Sequence, residues 1–129
     1  MGFFCVESPF VDHCFIEAVD RIPDGVRSRV RLRPELSNSL GGAHGGLITT
    51  LLDASMTVTA RYALHPDGDV GTATVDLTTT FIGQAQSELV CEARLTARRG
   101  ALLYLEAVAR NENGELVARA VGTFKSLQK

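Results

Sequence analysis

One stretch constrains the fold more than any other. Residues 38–64 read NSLGGAHGGLITTLLDASMTVTARYAL, and Asp53 is the only acid or base, His44 aside, until Arg61. From residue 45 to about residue 63 the apolar positions recur with the period of a helix, the one long helical pattern in the chain. At about 100° per residue, Leu47, Ile48, Leu51, Ala54, Val58 and Tyr62 fall on one side, a stripe suited to lie against a sheet. The other side is Gly46, Thr49, Thr50, Asp53, Met56, Thr57 and Ala60. It is polar yet holds none of the long charged side chains that usually solvate a helix. A solvated face is one reading; the composition favours a covered one. Asp53 is then a carboxylate partly removed from water, which is costly unless it is hydrogen-bonded or used. Thr49, Thr50 and Thr57, three or four residues away, are the expected donors.

Elsewhere the pattern changes to that of strands. Residues 15–21 read as a strand with Pro23-Asp24-Gly25 as its turn, and residues 26–33 alternate. Val26, Val30 and Leu32 take one face of that second strand, and Arg27, Arg29, Arg31 and Arg33 the other, a charged row for solvent or for a second dimer. After the helix, residues 70–81, 88–98, 101–111 and 116–125 read as four strands in a meander, with Gly100 and Asn113-Gly114 in tight turns. The order implies an α+β chain in which an antiparallel sheet holds one central helix. With 129 residues and no repeat or linker, one domain over residues 1–129 is expected.

Composition narrows the partners. A formal net charge of −2 gives no electrostatic reason to expect nucleic acid. Cys5, Cys14 and Cys91 are widely spaced and form no CxxC pair, so neither a disulfide framework nor a zinc site is suggested, and a reducing compartment fits. No stretch reads as a membrane span, and Glu7 and Asp12 stand where a signal peptide needs a basic start and an apolar run. The expectation is a cytoplasmic protein with a small-molecule or protein partner and no membrane association.

The helix start narrows them further. GGAHGG puts glycines where a helix usually takes a capping Ser or Asp. Positive φ angles account for some of them. Bare backbone N–H groups at a helix N-terminus also attract negative charge and admit close approach of a ligand, which is what an oxyanion hole needs. Gly45 and Asp53, however, are separated by about 12 Å along one helix, at about 1.5 Å per residue. One reacting carbonyl cannot touch both, so if both serve one reaction the aspartate comes from a second copy. The uncharged face and the split pair together point to a two-fold homodimer with two composite sites.

At these residues the sequence resembles a known family. A helix wrapped by an antiparallel sheet is the hotdog fold, and NSLGGAHGGLITTLLD resembles the Asn, His-Gly-Gly and Asp signature of PaaI-like acyl-CoA thioesterases. SPFVDH is similar to the lead-in of that family, GTATVDLTTTFIGQA to the strand after its helix, and ARRGALLYLEAVARNENGELVARAVGTF to its closing meander. The resemblance implies that Asp53 activates water or attacks the thioester carbon, and that Gly45 offers its N–H to the thioester oxygen. It implies that Asn38 bonds near the thioester or the nucleophile and that His44 orients the loop or the acyl-CoA. Thr74 aligns with a hydroxyl residue that positions the attacking water in some members, and Thr57 with a hydroxyl position of related enzymes. A thioester has a good leaving group, so a positioned carboxylate and one polarised carbonyl suffice without metal, triad or cofactor. A dimer of dimers is the usual assembly of such relatives.

Other residues weigh less. Gly46 and the turn Arg98-Arg99-Gly100 are candidates for holding substrate, the arginines for the phosphates of coenzyme A, against the plainer reading of a solvated hairpin. Asp76 shares a face with Thr72, Thr74, Thr78 and Thr80, where an edge or water-facing place is the simpler account, and is a distant second carboxylate. Cys5, His13 and Cys14 suit no standard zinc motif and read as structural. Met56 and Phe81 are candidates for lining the acyl pocket. Within the same fold the competing functions are a non-hydrolytic acyl-CoA or acyl-carrier binding protein and a dehydratase relative, and beyond it a purely structural dimer.

Overall fold

The computed structural model describes residues 2–128. Ser8 accepts the Val11 amide at 3.3 Å and Pro9 occupies the first turn, which starts a short helix α1, Pro9–His13, not expected from the sequence reading. Strands β1 (Ile16–Ile22) and β2 (Gly25–Arg31) follow as a hairpin. Its positive φ falls on Asp24, whereas Gly25 is needed for close approach: a Cβ there would lie 1.7 Å from the Ala93 carbonyl oxygen. A 3-10 turn, Pro34–Leu36, leads into the loop before the long helix α2, Gly45–Leu64. Strands β3 (Thr72–Phe81), β4 (Glu88–Arg99), β5 (Leu102–Asn111) and β6 (Leu116–Ser126) complete the chain.

The six strands form one antiparallel sheet in the order β1-β2-β4-β5-β6-β3. The expected four-strand meander is therefore corrected. Of the last four strands only β4, β5 and β6 are consecutive neighbours, while β3 crosses to the far edge and pairs with β6. The sheet curls around α2, burying Val26, Leu89, Leu103, Leu105, Val117 and Phe124 against Leu51, Leu52 and Val58. This is the hotdog architecture that the resemblance implied.

The wrap is wider than the apolar stripe suggested. Met56 and Ala60, assigned to the outer face, are fully buried, and a Cβ added at Gly122 would lie 3.4 Å from the Met56 Cε. Met56 is thus core and not pocket lining. Ser28 and Ser55, also fully buried, lock the helix to the sheet with hydroxyls 2.6 Å apart. Since Ser55 gives its single proton to the Leu51 carbonyl, Ser28 is the donor between them. Cys91, on β4, is fully buried too, and burial pushes its thiol up to about 12. On the other face of the sheet Arg27 bonds Asp20 and Glu92, and Arg29 bonds Glu17, so these two guanidiniums are paired at the surface.

Candidate active site

The strip of α2 that the sheet does not cover is Gly46, Thr49, Thr50, Asp53, Ala54 and Thr57. The chain's own N-terminal segment lies against it. Phe3, Val6, Phe10 and Val11 wall a cavity of about 280 Å³ together with Asp53, Ala54 and Thr57. The face expected to be covered by a second copy is thus covered in part from within the same chain.

Asp53 does not take its hydrogen bond from the expected threonines. Thr49 and Thr50 donate to the carbonyls of Gly45 and Gly46, four residues back, at 2.9 and 2.8 Å. The donor to Asp53 is Thr74, whose hydroxyl reaches Oδ1 at 2.9 Å. A bulge in β3 makes this possible. Pairing with β6 slips between Thr74 and Asp76, so Thr74 stands opposite buried Phe124 and faces the helix, while Asp76 stands opposite Thr123. Asp76, Thr78 and Thr80 consequently point to the other side of the sheet from Thr74, which corrects the single threonine face read from the sequence and removes Asp76 from the site. Burial pushes the Asp53 carboxyl above the usual aspartate range, and the Thr74 hydrogen bond pulls it partly back.

The helix start is a separate construction. Asn38 braces the loop, accepting the Leu40 and Gly42 amides at 2.8 and 3.1 Å and donating to the Ala43 carbonyl at 3.3 Å. Its side chain is therefore taken up by the loop. His44 is the N-cap: its Nδ1 accepts the Gly46 amide at 2.8 Å. That fixes the tautomer, with the proton on Nε2 when the ring is neutral. The Gly46 N–H is accordingly engaged, whereas the Gly45 N–H finds no acceptor among the described residues. Gly45 opens into a cavity of about 190 Å³ with Asn38, Ile48 and Phe81, and a Cβ on it would sit 3.6 Å from the Phe81 ring.

Asp53 and Gly45 thus face different cavities, and no described residue lines both. The Arg98-Arg99-Gly100 turn is farther away. Arg98 donates to the Gly100 carbonyl at 3.3 Å, and in register it lies across Leu103 and Phe124 from Thr74. Three strand spacings make that about 15 Å. Among the described residues no three His, Cys, Asp or Glu side chains are grouped to hold a metal ion, and no helix is long and apolar enough to cross a membrane, which leaves β-barrels unaddressed.

A carboxylate under one hydroxyl, and an unpartnered amide at the start of the same long helix in a curled antiparallel sheet, define a hotdog protein with the groups for acyl chemistry. The chain belongs to the thioesterase superfamily, whose sequence profile matches residues 40–118 and so takes in both Gly45 and Asp53. No curated protein matches it in sequence. Among solved structures it is similar to a thioesterase from Haemophilus influenzae, with a TM-score of 0.87 at 16% identity over 96% of this chain and 85% of that one. A Bacillus halodurans protein solved with CoA is similar at a TM-score of 0.85 and 23% identity, over 95% and 80%. A conserved protein from Pseudomonas aeruginosa reaches 0.84 at 26% identity over 93% and 94%.

Proposed function

We propose that the protein is an acyl-CoA thioesterase of the PaaI-like type, acting as a homodimer with two composite sites. The observation that carries this is the Asp53 carboxylate, bonded by Thr74 and opening into an apolar cavity, in a chain of this superfamily. Edge strand β3 supports the sharing. Its first half carries Thr74, the partner of Asp53, and its last residue, Phe81, lies beside Gly45. Antiparallel pairing of β3 with the same strand of a second copy, centred near Leu77 and Thr78, carries the Asp53 end of one chain to the Gly45 end of the other. The amide of Gly45 then polarises the thioester carbonyl whose carbon faces the partner chain's aspartate.

In this reading Asp53 is base or nucleophile, Thr74 aims it, and Asn38 and His44 hold the loop that presents Gly45. Thr57 lines the cavity one turn beyond Asp53. Arg98 and Arg99 are exposed guanidiniums for the phosphates of CoA, a ligand seen with the Bacillus halodurans relative. If so, replacing both raises KM for CoA thioesters but not for the shorter pantetheine thioesters. The decisive experiment is thiol release from a panel of acyl- and aryl-CoAs by wild type and Asp53→Ala. Release by the wild type alone supports hydrolysis at this carboxylate. Tight acyl-CoA binding with no release by either protein supports a non-hydrolytic binding protein instead.

A further inference from the structure

Two cavities lie in line along the outward strip of α2 and meet at two side chains. The first, about 280 Å³, holds Asp53 between Phe3, Val6 and Ala54. The second, about 390 Å³, lies toward the helix start against Phe15, Leu36 and Leu47. Phe10 and Thr50 border both, and no other described residue does. Asp53, Thr50 and Leu47, which line the two cavities in turn, follow one another at intervals of three residues, so the groove spans about 9 Å along the helix.

The floor of this groove is apolar in effect. The hydroxyl protons of Thr49 and Thr50 are taken by the Gly45 and Gly46 carbonyls, which leaves neither one free to seek a ligand acceptor. A hydrocarbon chain laid on them strands no donor. Phe10 lines the groove on the α1 side, in both cavities. Within α1 only Val11 is buried, at 6% exposure, and Cys14 just after the helix is buried at 8%, while Phe10 is 61% exposed where the two cavities meet. A ring held there gains burial only when something apolar lies beneath it.

We propose that Phe10 sets acyl-chain length. The carbonyl of an unbranched acyl group sits at Asp53, its chain fills the first cavity, and the ring of Phe10 stops it at the neck. Substrates are then straight-chain acyl thioesters of short to medium length, and the second cavity is reached only when the ring is removed. This rests on the thioesterase reading and names the substrate class within it.

The test is a homologous series of straight-chain acyl-CoAs, with phenylacetyl-CoA alongside, assayed for kcat/KM with wild type, Phe10→Ala and Phe10→Trp. Phe10→Ala is expected to move the optimum to longer chains, raising the ratio of long to optimal substrate by about tenfold or more, since even one methylene in an apolar pocket counts for that much. Phe10→Trp moves it to shorter chains. One length profile shared by all three proteins, or a wild-type preference for the aryl ester over every straight chain, overturns the proposal. If the wild type hydrolyses nothing, the thioesterase reading fails on its own. The length profile is then read from Kd values for the same acyl-CoAs by calorimetry, where no shift in Phe10→Ala overturns this inference as well.

Discussion

The hydroxyl of Thr74 donates to Oδ1 of Asp53 at 2.9 Å across 21 residues of sequence, and no other side chain among the described residues donates to that carboxylate. One hydrogen bond fixes the direction of the group and leaves its second oxygen to water or substrate. Asn keeps the shape of Asp53 and still accepts from Thr74. Asp53→Asn is therefore expected to leave the melting temperature unchanged or higher while turnover falls by about 10²–10⁴. Steady-state kinetics beside a thermal melt checks this, and loss of the fold together with activity would make Asp53 structural instead.

Thr74 separates aiming from binding. Thr74→Ser retains the donor, whereas Thr74→Val removes it and leaves a half-buried carboxylate unsupported. A lost hydrogen bond to a charged group is worth about 1.5 kcal/mol, so kcat in Thr74→Val should fall roughly tenfold with KM little changed. A rise in KM at constant kcat would place Thr74 in substrate binding.

Burial also gives a signed pH dependence. In the unfolded chain Asp53 titrates near 3.8, and in the fold its pKa is raised, so the native state binds the proton more tightly. The stability this adds is fully present below 3.8 and is lost as pH rises through the folded value. The stability of wild type minus that of Asp53→Asn should accordingly fall with rising pH across that window and then level off. Turnover, which needs the ionised form, should show its acid limb above 3.8. A flat stability difference, or an acid limb at the ordinary value, contradicts the burial argument.

How much of this was legible in the sequence follows from the range of each signal. The limits of α2 came from its period and the glycines before it, and Asp53 stood out because no charge accompanied it. The neighbour of β3 was not legible, because four consecutive strands suggest a meander and nothing local says that one crosses to β6. The bulge beyond Thr74 was invisible for a related reason: a row of threonines carries no apolar alternation to reveal a slipped register. Met56 and Ala60 were misplaced since a curled sheet covers more of a helix than a flat one. Thr74 entered through the family resemblance, while its contact with Asp53 needed the fold. Phe10 was missed although Ser8-Pro9 is a helix-start signal that would have placed it on α1.

His44 shows what the loop requires. Its Nδ1 does for Gly46 what a capping Asp or Asn ordinarily does, and a Cβ on Gly46 would lie 3.0 Å from that nitrogen. His44→Ala should cost about 1 kcal/mol, roughly 4 °C in a chain of this size, and should lower kcat as the Gly45 amide loses its fixed aim. His44→Asn restores the cap and is expected to recover most of the stability. Recovery of stability without recovery of kcat would show that the imidazole acts beyond capping, on the acyl-CoA itself.

Sharing of the site between two copies can be tested by complementation. Gly45 is the first residue of α2, where proline is well tolerated, and His44 before it has φ −67° and ψ 137°, the extended conformation that precedes proline readily. Gly45→Pro therefore removes the N–H in question with little strain on the helix. Alone, it and Asp53→Asn should both be nearly inactive. When equal amounts are mixed and subunits exchange at random, half the dimers are mixed, and each mixed dimer has one doubly damaged and one intact site. About a quarter of wild-type activity should return. If carboxylate and amide acted within one chain, every site in the mixture would carry a defect, and no activity would return however long the subunits exchanged.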